Sequence, residues 1–154
     1  MVNNMENVEA RELQMLEQYL KQFTQQVEAY SRQLEMLESR RMETATAVET
    51  LKTLVDQEGP TVLLQIGGGA SLRVHVPDTD TVLLNIGSDV VVERTNTETV
   101  DYLEERMTEM EALAKKIAES IEQVQKQAHD VAKRMESAYS QTQTQTRMNP
   151  GIQG

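Results

Sequence analysis

Two long stretches of the chain contain neither glycine nor proline, and this feature constrains the fold more than any other. The 154 residues include seven glycines and three prolines, and all of them lie between residues 59 and 87 or between residues 150 and 154. Glycine and proline are the residues least compatible with a helix interior. The stretches that precede and follow the central segment can therefore form long, uninterrupted helices.

Apolar residues recur in both stretches at alternating steps of three and four. Such a stripe repeats every 3.5 residues on average, which predicts helices that wind around a partner as a coiled coil. We call the stripe of each stretch the seam, and Arg41 and Thr44 are its only positions that are not apolar. Its positions are Leu13, Leu16, Leu20, Phe23, Val27, Tyr30, Leu34, Leu37, Arg41, Thr44, Val48, Leu51 and Val55 in the first stretch, and Val100, Leu103, Met107, Met110, Ala114, Ile117, Ile121, Val124, Ala128, Val131, Met135 and Ala138 in the second.

Local signals set the limits of the two helices. A glycine and a proline at residues 59 and 60 end the first helix, and Thr95 with Glu98 forms a capping-box pattern that begins the second. At 1.5 Å per residue, each seam runs roughly 60 Å, and equal lengths predict an antiparallel helix hairpin. We expect helices over residues 1–58 and 96–141, and a disordered polar tail over 142–154.

The central segment, residues 59–95, changes to a period of two and predicts two β-hairpins. Thr61–Gly67 and Thr81–Gly87 are nearly the same sequence twenty residues apart, so the hairpins form an internal repeat. One face of the strands is apolar, and leaving its eleven side chains in water would forgo roughly 15 to 30 kcal/mol. Nothing else in the chain is available to cover this face, so a partner is expected to cover it. The open strand edges are expected to pair with another chain or to close a barrel.

Composition excludes several classes of function. The net charge of −10 and the pI of about 4.7 argue against nucleic acid and anionic membranes as partners. The chain has no cysteine, and no carboxylate lies at zinc-ligand spacing around His75 or His129. No motif points to an enzyme, a cofactor or a metal site. With no signal-peptide pattern and no membrane-length apolar run, a cytoplasmic location is expected.

A few apolar residues fall outside the seam near the open end of the predicted helix hairpin. Met15, Tyr19 and Tyr139 are examples, and neighbouring seam residues are expected to be partly exposed there. Single exposed apolar residues are common on protein surfaces. The alternative is a contact surface for other apolar polypeptide, for which methionine is well suited because its side chain is flexible.

The chain resembles the alpha-class subunits of the prefoldin family. The likeness extends over about residues 8–140, and it is most specific in residues 82–87 and 90–93 and in Thr95, Glu98, Tyr102 and Leu103, which lead into the second helix. The chain departs from the family's usual pattern at residues 87–89, where a Gly-Ala-Gly-like loop is common, and at Val100, where alanine is common. Neither departure involves a residue to which a chemical role is assigned.

This resemblance implies an ATP-independent chaperone that assembles as a hexamer of two alpha-class and four beta-class subunits. In that hexamer the hairpins join an oligomeric β-barrel, a double barrel that serves as the platform for the arms. Such a complex captures non-native proteins between the tips of its coiled-coil arms and passes them to a group II chaperonin. By the same resemblance, the client-binding tip residues are Val8, Leu13, Met15, Leu16, Tyr19, Leu20, Val131, Met135, Ala138 and Tyr139. The oligomerisation residues are Val62, Leu64, Ile66, Leu72, Val74, Val76, Val82, Leu84, Ile86, Val90 and Val92.

The sequence leaves a second hypothesis open. In it, the sheet polymerises into filaments and the helices act as a structural coiled-coil adaptor that holds no clients.

Overall fold

The computed structural model describes residues 2–148, except for the side chains of residues 2–4, 6, 145 and 146. Over these residues the chain forms two long helices with four short strands between them, which confirms the predicted α+β class. The elements in order are α1 (Val2–Val55), β1 (Thr61–Gly67), β2 (Ala70–His75), β3 (Thr81–Gly87), β4 (Val90–Thr95) and α2 (Asn96–Met148).

The chain divides into two compact units. Unit 1 contains residues 1–35 and 115–154, and unit 2 contains residues 36–114. In unit 1, Arg134 of α2 pairs with Glu12 of α1 at 3.5 Å. In unit 2, Lys52 of α1 pairs with Glu104 of α2. Early α1 thus meets late α2 and late α1 meets early α2, as antiparallel helices require.

The apolar seam forms the contact between the helices within each unit. Every predicted seam position is buried or half-buried except Val55, the last residue of α1. The most buried apolar positions are Leu16 and Val124 in unit 1, and Val48, Val100 and Ala114 in unit 2. Residues between the seam positions are almost all exposed, which is the pattern expected for helices that bury one stripe each.

A capping box begins α2, as the sequence predicts. The hydroxyl of Thr95 accepts a hydrogen bond from the Glu98 amide at 3.2 Å, and the Glu98 carboxylate accepts one from the Thr95 amide at 3.1 Å. The two residues thereby satisfy backbone donors that a helix start leaves without intrahelical partners.

Asn96 joins three segments of unit 2 at the start of α2. Its backbone amide donates to the Asp80 carbonyl at 2.6 Å, and its side-chain amide donates to the carbonyls of Leu51 at 3.0 Å and Thr79 at 3.1 Å. The residue is only 2% exposed. It therefore ties the last turns of α1 and the linker between the hairpins to the first turn of α2.

The linker between the hairpins turns at Asp78. Its carboxylate accepts hydrogen bonds from the amides of Asp80 and Thr81 at 2.9 and 3.1 Å. Hydrogen bonds from the Thr81 side chain and from these two amides lower the pKa of the Asp78 carboxyl, because they favour its charged form.

The four strands form two separate antiparallel hairpins, β1–β2 and β3–β4. In both, the register shifts by one residue just before the turn, at Ile66 and at Ile86. The first turn places Gly68 and Gly69 at positive φ, where glycine is unstrained. The second places Ser88 (φ 51°) and Asp89 (φ 59°) in the same left-handed region, which two-residue hairpin loops favour.

The helix limits differ from the prediction at two places. The helix α1 ends at Val55 instead of residue 58, and α2 continues to Met148 instead of ending at 141. The predicted tail begins with threonine and glutamine. Neither residue breaks a helix as glycine and proline do, so α2 can continue through them. The hydroxyl groups of Thr142 and Thr144 donate to carbonyls one turn earlier, at 3.0 and 2.9 Å. Residues 149–154 of the predicted tail lie outside the described residues.

Replacing Asn96 by alanine should destabilise the chain by about 1 to 3 kcal/mol, because it removes the side-chain hydrogen bonds to the Leu51 and Thr79 carbonyls. The midpoint of urea denaturation, followed by circular dichroism, measures the change. Thr97→Ala is the matched control, since Thr97 is exposed on the same helical turn. Equal midpoints for the two variants would contradict the role given to Asn96.

Replacing Ser88 by glycine should stabilise the chain by about 0.5 to 1 kcal/mol, because glycine adopts positive φ without strain. The equivalent reverse change in the first hairpin, Gly68→Ser, should destabilise by a similar amount. A Cβ at Gly68 meets no atom within 4 Å, so the backbone alone causes the effect. Denaturation midpoints that shift in the same direction for both variants would argue against this explanation.

Candidate functional site

Unit 1 carries a group of exposed apolar side chains. Val8, Met15 and Tyr19 of α1 and Tyr139 of α2 are each between 44% and 62% exposed. They lie outside the seam, so helix pairing does not cover them. We call these four residues the terminal surface.

Contacts between the helices bring the two parts of the terminal surface together. The Tyr139 hydroxyl lies 3.4 Å from a carboxylate oxygen of Glu17, to which it donates a hydrogen bond. The pair of Arg134 and Glu12 joins the helices at a neighbouring position. Residues 12–19 of α1 and 134–139 of α2 are thus adjacent within unit 1.

The other predicted tip residues belong to the seam and are covered to different extents. Leu16 is only 5% exposed, so it cannot contact a client unless the helices separate. The remaining ones are half-buried: Leu13, Leu20, Val131, Met135 and Ala138. Sequence reasoning expected these seam residues to be partly exposed, and it did not anticipate that Leu16 packs fully between the helices.

A cavity of about 300 Å³ lies beside the terminal surface in unit 1. Ala138 is its only apolar lining residue, and the others are Glu12, Lys133, Arg134, Ser137 and Gln141. Small-molecule sites are usually concave and mostly apolar. Here the polar side chains line the cavity, and the apolar ones lie on the open helix surface.

Charge is distributed unequally between the two units. Unit 1 contains 9 basic and 10 acidic residues, a net charge of −1, whereas unit 2 contains 6 basic and 15 acidic residues, a net charge of −9. Nearly all of the chain's net charge of −10 therefore belongs to the unit that contains the hairpins.

The predicted oligomerisation residues lie on the hairpins of unit 2. Cross-strand neighbours on one face include Val62 with Val74, Leu64 with Leu72, and Leu84 with Val92. Half-buried members of the set are Val62, Val74, Val76, Val82, Leu84 and Val92, and exposed members are Leu64, Ile66, Leu72, Ile86 and Val90. The alternation of apolar and polar residues identifies which strand residues share this face, as far as the register shifts at Ile66 and Ile86.

The structure adds apolar residues that the predicted set leaves out. Leu63 and Leu83, each 69% exposed, occupy the opposite face of the hairpins, and Val91 is exposed on that face too. A sequence signal for the leucines exists, because the runs 62–64 and 82–84 are apolar at three successive positions. Val82 also differs from the expected pattern, since its cross-strand neighbour is Arg94.

The helices partly cover the second hairpin, although the sequence suggested that nothing else in the chain would. Within unit 2, a cavity of about 580 Å³ is bordered by Leu84 and Ile86 of the hairpin and by Leu37, Leu103 and Met110 of the helices. Leu84 is half-buried, whereas the equivalent Leu64 of the first hairpin is exposed; Ile86 and the equivalent Ile66 are both exposed, Ile86 less so at 47% against 59%. The two repeats thus have different surroundings.

The described residues contain no group of three or more His, Asp or Glu side chains placed to hold a metal ion. Within residues 2–148, neither helix has a stretch apolar enough to cross a lipid bilayer.

Comparisons with known proteins agree with this architecture. A family model described as prefoldin subunit matches residues 7–141. Prefoldin subunit alpha from Methanoculleus marisnigri is 50% identical over 135 residues, which cover 88% of this chain and 91% of that protein. Prefoldin subunit alpha from Methanoregula boonei is 47% identical over 134 residues, covering 87% and 88% respectively.

A solved structure shares the fold. The cryo-EM structure of filamentous PFD from Methanocaldococcus jannaschii has a TM-score of 0.65 and 21% sequence identity, and the match covers 75% of this chain and 96% of that one. The seam, the paired hairpins and the extent of these matches lead to one assignment: the chain belongs to the prefoldin family, as a member of its alpha class, with the chaperone-type function of that family.

Proposed function

We propose that the chain is a subunit of an ATP-independent chaperone that holds non-native proteins at its terminal surface. The observation that carries the proposal is the group of exposed apolar residues on unit 1, which includes side chains from both helices. Non-native proteins expose apolar segments, and burying such a segment against Met15, Tyr19 and Tyr139 gains about 25 cal/mol per Å². Binding requires no bond to be made or broken.

Assembly strengthens this weak binding. In the proposed complex, two copies of this chain and four beta-class subunits form a hexamer through their hairpins, and clients are then delivered to a group II chaperonin in the cytoplasm. Each terminal surface contributes only a small contact. Several surfaces on one complex raise the effective concentration, so that the combined affinity exceeds that of each contact by about 10²-fold or more.

A filament-forming role without client holding is the second candidate. It is favoured by the likeness in fold to a prefoldin whose structure is described as filamentous. Sedimentation velocity separates the candidates, because the hexamer predicts a discrete species with a beta-class partner, whereas the filament predicts open polymers of this chain alone.

The holding activity is tested by light scattering from a chemically denatured client diluted into buffer without ATP. We expect the complex of this chain with a beta-class partner to suppress the rise in scattering. No change in scattering at a tenfold molar excess of the complex would refute the proposal.

Changing Val8, Met15, Tyr19 and Tyr139 together to serine should weaken holding by about tenfold or more, since each side chain buries apolar surface worth about 1 kcal/mol or more. Assembly should be unaffected, because the terminal surface and the hairpins belong to different units.

The matched control changes exposed apolar residues of unit 2, Met36 and Met42, to serine. They are 60% and 68% exposed, compared with 44% to 62% for the residues of the terminal surface. If the control weakens holding as much as the terminal-surface variant, then clients bind exposed apolar residues in general and the proposed site is wrong.

Changing Val82 and Val92 to aspartate should abolish assembly, because it places two charges on the half-buried apolar face of the second hairpin. The mass of the complex with a beta-class partner, measured by light scattering, reports the result. Leu83→Asp with Val91→Asp is the control, because it adds the same two charges on the exposed opposite face, and it should leave the mass unchanged. Full-mass complexes from the Val82→Asp, Val92→Asp variant would contradict assembly through this face.

A further inference from the structure

Methionine supplies all of the sulfur in the chain. The sequence contains nine methionines and no cysteine. A peroxide that reaches the protein therefore meets thioethers and no thiols, and a thioether is oxidised to a sulfoxide. The sulfoxide is polar, whereas the original side chain is flexible and apolar. The positions of the methionines thus decide which surfaces of this protein an oxidant can alter.

The described methionines fall into two groups. Three of them are seam residues and half-buried: Met107, Met110 and Met135. The other five lie outside the seam and are between 52% and 82% exposed: Met5, Met15, Met36, Met42 and Met148. An exposed sulfur atom reacts with a peroxide in solution more readily than a covered one. Of the exposed group, Met15 alone belongs to the terminal surface.

Met15 occupies a central position in the terminal surface. Val8 lies two turns before it and Tyr19 one turn after it on the same face of α1, since residues four or seven apart share a helix face. From α2, Tyr139 reaches the same part of α1, because its hydroxyl donates to the Glu17 carboxylate at 3.4 Å. A change of polarity at Met15 therefore acts in the middle of this apolar group.

We propose that Met15 is a reversible oxidation site, at which a peroxide converts the terminal surface to a state that holds clients more weakly. The inference rests on the proposed holding function and names a chemical regulation of the same surface. Hydrogen peroxide transfers one oxygen atom to the Met15 sulfur: the O–O bond breaks, an S–O bond forms, the sulfur gives up an electron pair, and water leaves. A dithiol-dependent methionine sulfoxide reductase reverses the step, in which the dithiol becomes a disulfide and the oxygen leaves as water.

The oxidised side chain weakens binding because its new oxygen must leave water when a client covers it. An apolar client segment offers that oxygen no hydrogen bond, so its burial is unfavourable. We expect each contact to weaken by roughly tenfold. The losses multiply across the surfaces of one complex, since holding depends on their combined affinity.

Helix pairing is unaffected by oxidation at this position. Met15 lies outside the seam and is 52% exposed, so its sulfoxide does not enter the interface between α1 and α2. Met135 is the seam methionine of unit 1, where a sulfoxide would place a polar group between the helices, but it is half-buried. The exposed Met15 therefore reacts first, and the fold stays intact while holding declines.

Graded oxidation tests the proposal. The full chain is treated with hydrogen peroxide, the peroxide is removed, and the chain is assembled with an untreated beta-class partner. Peptide mass spectrometry measures the sulfoxide fraction at each methionine, scattering from a denatured client measures holding, and circular dichroism measures helix content. We expect holding to fall in step with the sulfoxide fraction at Met15, at constant helix content, and to recover after treatment with methionine sulfoxide reductases and a dithiol.

Leucine variants separate Met15 from the other exposed methionines. Met15→Leu removes the sulfur and keeps an apolar side chain of similar size, so the holding of this variant after peroxide should equal its own holding before peroxide. Met36→Leu with Met42→Leu is the matched control, and it should lose holding on oxidation as the unaltered chain does. Met15→Gln, which places a polar amide at the site, should hold clients about tenfold more weakly without any oxidant.

Three results would overturn the oxidation site: full holding by a chain whose Met15 is completely oxidised, an equal loss of holding in Met15→Leu and the unaltered chain, or oxidation of Met135 before Met15. Holding is measured first on the unoxidised complex. Absence of holding there would refute the proposed function itself, whereas normal holding that peroxide leaves unchanged would refute only the regulation at Met15.

Discussion

The structure depends on one constraint, which is that each long helix buries a narrow apolar stripe against the other. The stripe recurs every 3.5 residues, so it remains on the contact side over about forty residues of each helix. With only one stripe per helix to bury, the chain has no thick interior, and few of its side chains are buried. The positions outside the stripe can then carry charged side chains, or apolar side chains available for contact with other proteins.

The order and type of the elements could be predicted from the sequence because the period of apolar residues changes sharply at residue 59 and again near residue 95. The capping residues Thr95 and Glu98 fixed the start of α2 to the residue. The end of α2 was harder to place. Glutamine and threonine read as a disordered tail by composition, yet nothing in residues 142–148 prevents a helix that is already formed from continuing.

The surfaces were less predictable than the elements. Periodicity identifies which residues of a helix face the partner, but it does not tell how tightly each one packs, and Leu16 is an example of a seam residue that is fully covered. In the hairpins, a strict alternation of apolar and polar residues fails at Leu63 and Leu83, where both faces are apolar. A register shift at Ile66 and Ile86 depends on turn geometry, which a period-two pattern does not contain.

The uneven distribution of charge has a consequence for the proposed holding of clients at unit 1. A region with a net charge of −1 exerts little long-range attraction or repulsion on an approaching polypeptide. Acidic and basic polypeptides would then encounter unit 1 at similar rates. Selectivity among them would depend on how much apolar surface each non-native chain exposes, and not on its isoelectric point.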